Sequence, residues 1–211
     1  MSTRIYQFGS ALSLLLLGVL VAGGFQAAAD KNGVADINWL VDNSNFGKGA
    51  RETLNRMRTS REEVLSFIDT NRVLTVDQAT KLRDLTLKEG KTPAEQAELD
   101  TLKATIVATN KKWTELATKG TLTPEERTTL QDYSERAQRM TDLGKQWVNT
   151  FTNEIESFLD KQKAEGSARA REAINSTAKA QGYTMIYDKV FAPYGANDLT
   201  EAALAAMNAK P

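Results

Sequence analysis

From Thr123 the chain carries one helical seam to Phe158, and helical character continues with smaller residues to Ala180; no other stretch limits the possible folds as strongly. Thr123-Pro124-Glu125-Glu126 places a Thr at the N-cap, Pro at the first helical position and Glu three residues after the cap. Leu130, Tyr133, Ala137, Met140, Gly144, Trp147, Phe151, Ile155 and Phe158 then step by threes and fours, as a and d positions of a coiled-coil seam do. A continuous helix of this length rises on the order of 85 Å at 1.5 Å per residue. It must project from any domain that 211 residues can build.

Upstream segments supply partners for it. Leu99, Leu102, Ile106, Thr109, Trp113 and Leu116 carry the same three-four rhythm, and the short loop 118–122 makes the two helices antiparallel neighbours. Thr75 with Gln78 and Thr92 with Glu95 repeat the capping chemistry of Thr123 with Glu126. Gly90 and Gly120 stand where helix ends are expected. Phe46, Ala50, Leu54, Met57, Val64 and Ile68 give an amphipathic helix before these. The expected helices are therefore about 46–70, 75–89, 92–118 and 123–180.

The β signals lie at the two ends. Val34 to Leu40 reads as a weakly alternating strand, followed by the turn or cap cluster Asp42-Asn43-Ser44-Asn45. Gly182 to Asp188 and Val190 to Gly195 read as two further β segments forming a hairpin. Asp198-Leu199-Thr200 opens a last short helix. The expected fold class is α+β, mostly α. A small β body formed by 30–45 and 181–211 carries a long antiparallel helical-hairpin (coiled-coil) arm over 46–180. Three short strands make a marginal sheet with free edges, so pairing those edges between copies is expected.

Composition removes several functions. The chain has no cysteine and no histidine, so thiolate nucleophiles, disulfides and His-ligated zinc are out, and no catalytic, cofactor or metal site is expected. Lys+Arg and Asp+Glu are both 27, which argues against nucleic acid as a partner. Residues 48–72 hold six basic and four acidic groups, and 161–179 hold five basic and two acidic. This is the pattern of a solvated face; weak contact with a membrane surface is the other reading. Arg4, the apolar run Ala11 to Ala22 and Ala27-Ala28-Ala29 form a cleavable signal peptide over 1–29, which points to export into the periplasm. An uncleaved anchor is the alternative.

Gly33-Val34-Ala35-Asp36, Gly47-Lys48-Gly49-Ala50, Gly182-Tyr183 with Tyr187-Asp188, and Asp198-Leu199-Thr200 with Leu204 resemble the Skp/OmpH family of periplasmic chaperones. The likeness covers about 33–57 and 174–208; between them it rests on helical character. The resemblance implies a homotrimer with one shared β body and three projecting arms. These arms enclose unfolded outer-membrane proteins without ATP or any cofactor. Val34, Ile37, Trp39, Tyr183, Met185, Ile186 and Tyr187 are the body residues expected at the trimer contacts. Phe67, Val73, Leu74 and Leu87 are the candidate client-facing side chains. The helix at 75–89 exceeds what a two-helix hairpin needs, so it must fold out sideways or thicken the tip. The stretch Ala164 to Ala170 has no large apolar side chain and is expected to act as a flexible root. A structural coiled-coil spacer or adaptor of the envelope, without client holding, is the alternative function.

Overall fold

The computed structural model describes residues 31–194 and 197–209, and the signal segment expected at 1–29 lies outside them. The described chain is mostly helical with one small parallel sheet of two strands, an α+β arrangement. Its elements in order are β1 (Asn32–Ala35), α1 (Ile37–Asn43), α2 (Asn45–Thr70), α3 (Val76–Leu87), α4 (Pro93–Thr118), α5 (Pro124–Ala180), β2 (Met185–Asp188) and α6 (Thr200–Asn208).

The three capping boxes form as their residues dictate. Thr75, Thr92 and Thr123 each accept from the backbone N–H three residues on, and the Gln78, Glu95 and Glu126 side chains accept in return from the cap N–H. Each box satisfies two donors that the first turn leaves unpaired. The α3 and α4 C-caps are Lys88 and Lys119, one or two residues before the glycines expected there. Of those glycines only Gly90 adopts positive φ.

The helices share one apolar cluster. The Arg61 guanidinium meets Glu154 at 2.7 Å, while Ile68 lies against Gly144, so α2 and α5 run antiparallel. Arg56 pairs with Glu89 at 3.4 Å, which shows that α3 doubles back along α2. Lys103 pairs with Glu63, and Arg72 N–H donates to Asn110, so α4 then runs parallel to α2. Val64, Ile68, Ala79, Leu82, Leu99, Ile106, Met140, Trp147 and Phe151 pack together where all four helices overlap. The additional helix α3 is thus neither a side projection nor a tip. It thickens the middle of the helical extension, because Ala79, Leu82 and Leu85 bury their one apolar face there.

A second cluster forms the body: Ala35, Leu40, Ala170, Ala173, Ile174, Ala203 and Met207. Between the two clusters no residue of 48–63 on α2 or 152–165 on α5 is buried. This two-helix neck spans about 20–24 Å at 1.5 Å per residue.

Three expectations are corrected. The strand expected over Val34 to Leu40 ends at Ala35, and Ile37–Asn43 is helical, because the Asp36 carboxylate caps a helix by accepting from Trp39 N–H at 2.8 Å. The hairpin expected over 183–194 is absent. β2 pairs in parallel with β1, and residues 189–194 form turns around Asp188, whose carbonyl accepts from Phe191 and Ala192 and whose carboxylate accepts from Val190. The root at Ala164 to Ala170 is not loose. Gly166 and Ala170 are buried where α5 meets the body, and a Cβ on Gly166 would lie 2.8 Å from Val41 and 3.2 Å from Phe46. Small residues there permit close helix approach and fix the joint.

Candidate functional site

Among the described residues, five of the nine exposed large apolar side chains lie at 185–194 around β2, and the local sequence explains their placement. α5 ends in a Schellman motif: Tyr183 N–H donates to Ala178 O at 2.9 Å and Gly182 N–H to Lys179 O at 3.3 Å. Gly182 takes φ +72, which a Cβ would strain. The chain then enters β2, with Thr184 N–H donating to Lys31 O and the Lys31 ammonium over the Tyr183 ring at 4.0 Å.

β1 is satisfied along both edges. β2 lies on one side, and on the other Val34 N–H donates to Asn197 O while Leu199 N–H donates to Val34 O, each at 2.8 Å. Among the described residues β2 is paired on one side only. Because Thr184 directs its N–H to β1, the alternate residues Met185 and Tyr187 direct theirs outward.

An ion pair fixes this corner. Lys189 meets Asp198 at 2.7 Å, and Thr200 N–H donates to the second Asp198 oxygen at 2.9 Å. Burial alone would raise the Asp198 carboxyl, but the Lys189 contact and the Thr200 bonds outweigh it and hold the pKa at about 2, against an ordinary 3.8. Since the folded value is depressed, this stability is fully present above the ordinary value and is lost as pH falls toward the folded one. The body is therefore expected to weaken between about pH 4 and pH 2. Asp198→Asn should flatten that part of the acid-unfolding profile, measured by circular dichroism.

The expected trimer-contact residues divide. Val34 is buried in the body, Ile37 and Trp39 are half-buried on α1 instead of on a strand, and Tyr183 and Ile186 are half-buried. Met185 and Tyr187 are exposed, and Val190, Phe191 and Tyr194 follow them at 69%, 85% and 98% exposure. The last three were legible as apolar but not as exposed, since a strand reading places alternate residues inward. Asp188 as a turn-forming residue, with Pro193 behind it, is the signal that separates the readings.

The expected client-facing set is corrected in part. Val73 and Leu74 are fully buried, Leu74 within the four-helix cluster, and Phe67 and Leu87 are half-buried against it. Accessible apolar surface on the helices lies elsewhere. A groove between α2 and α5 opens into a cavity of about 250 Å³ beside Leu65, Ile68, Met140 and Val148. A second, of about 330 Å³, lies in the neck beside Phe46, Leu54, Phe158 and Leu159. Gly144, Val148, Ile155, Leu159 and Gln162 are spaced by four, seven, four and three residues, which keeps them on one face of α5.

Among the described residues no group of three or more Asp or Glu side chains could hold a metal ion, and no helix is long and apolar enough to cross a membrane. In comparisons with known proteins, no family model, curated sequence or solved structure matches the chain.

Proposed function

We propose that the chain is an ATP-independent periplasmic holdase. It binds unfolded outer-membrane and envelope proteins between coiled-coil arms that project from a trimeric β body. The observation carrying this reading is the apolar face of α2 and α5, where Val148 and Leu159 remain 48% and 41% exposed beside two open grooves. A spacer has no use for such a face, whereas a holdase needs accessible apolar surface that many sequences can contact weakly. The open β2 edge and the exposed group at 185–194 support assembly through the body.

Light scattering of a denatured β-barrel protein diluted into buffer tests the reading. Without nucleotide, the mature protein should suppress aggregation. Val148→Asp with Leu159→Asp should weaken suppression several-fold, since the exposed positions tolerate charge while the client face does not. No suppression by the parent would leave the spacer reading in its place.

A further inference from the structure

Phe191 and Tyr194 stand almost wholly in solvent although an apolar cavity opens a few residues away in the same chain. That cavity, of about 210 Å³, has Ala35, Ile37, Ile174 and Ile186 as its apolar lining, with Arg171 and Asp188 among its polar residues. We propose that the Phe191–Tyr194 turn of one copy seats in this cavity of the next copy, making a head-to-tail contact that three copies close into a ring. This rests on the trimeric reading above and adds its interface.

Three observations fix the occupant as a second copy. The knob leaves its own chain's cavity open, and the cavity borders the knob through Tyr187 and Asp188, so each copy offers both halves of one contact, which can repeat head to tail around a threefold axis. The chemistry matches: the lining takes a ring, the guanidinium suits an aromatic face, and a carboxylate accepts from a tyrosine hydroxyl. The area is also of the right size. Two aromatics bury roughly 300–500 Å² of the ~800 Å² per partner that a stable interface needs. Met185 and Val190 lie beside them to supply more, and the exposed Tyr187 adds area from the cavity side.

The cysteine-free chain allows a direct test. Pro193→Cys keeps both aromatic rings, and Asn175→Cys marks the cavity, which Asn175 helps to line. The two single variants, differently tagged, are refolded together and treated with a short bis-maleimide. A product joining the two tags is expected, well above the yield from Pro193→Cys mixed with Gly120→Cys. Adding Phe191→Asp to both partners should abolish that product and lower the native mass. A trimeric native mass without the joined product would overturn the knob and leave the trimer. A monomeric native mass of the parent would overturn the trimer itself, and the knob with it.

Discussion

Leu82→Asp is expected to unfold the four-helix middle while the β body stays folded. Leu82 has no exposed surface and sits on α3 among Val64, Ile68, Leu99, Ile106, Met140 and Trp147. Removing its side chain alone costs about 2–5 kcal/mol. A carboxylate without a partner adds its own desolvation penalty. Against a total of about 5–15 kcal/mol for a typical domain, the sum is enough to melt the cluster. The body has a separate cluster and is joined to the middle only by the neck, in which neither helix buries a residue. Amide exchange should lose protection over 64–87, 99–106 and 140–151 and keep it over 34–41, 170–178 and 199–207. Loss of protection in both sets would mean that the two clusters fold as one unit.

Gly47→Ala and Gly49→Ala, two residues apart on α2, are expected to act in opposite directions. A Cβ on Gly47 would lie 1.9 Å from the Val41 carbonyl oxygen. That oxygen belongs to the α1–α2 corner, where the fully buried Ser44 hydroxyl donates to Val41 O at 2.7 Å and accepts from Gly47 N–H at 3.0 Å. Backbone cannot move aside as a flexible side chain does, so Gly47→Ala should cost about 3 kcal/mol or more. A Cβ on Gly49 meets nothing within 4 Å, so Gly49→Ala should stabilise by up to ~1 kcal/mol through helix propensity. Midpoints of denaturant unfolding give both signs. Equal shifts would show that the corner is not closed as described.

Local chemistry was readable in the sequence and tertiary choices were not. The boxes at Thr75, Thr92 and Thr123 need only residues three apart, so their chemistry is complete in the sequence. The course of α5 follows from the same logic. Ile37 to Leu40 is too short to display a period, and the deciding feature, Asp36 accepting from Trp39, is one bond that a strand reading overlooks. The Ala/Gly run before Ala173 has two physical meanings: little area to bury, or close approach to a neighbour. Val41 and Phe46, some 120 residues earlier, select the second. α3 shows an apolar face at Ala79, Leu82 and Leu85, yet where that face docks depends on α2, α4 and α5 together. Leu74 is buried in that cluster for the same reason, while Val148 and Leu159 on α5 stay exposed.

The parallel pairing of β1 with β2 also sets an order of events during synthesis. Lys31 accepts from Thr184 across 153 residues, so the first strand has no sheet partner until almost the whole chain exists. At about 5–20 residues per second the ribosome takes roughly 8–30 s to deliver β2. The helices need not wait, because their bonds are local and form within microseconds. Once α2 and α5 have paired, they bring the two strands together through a much shorter effective loop than 153 free residues, which lowers the entropy of closure. The sheet therefore forms after the helices that precede β2, and a truncated helical segment leaves β1 without its sheet partner.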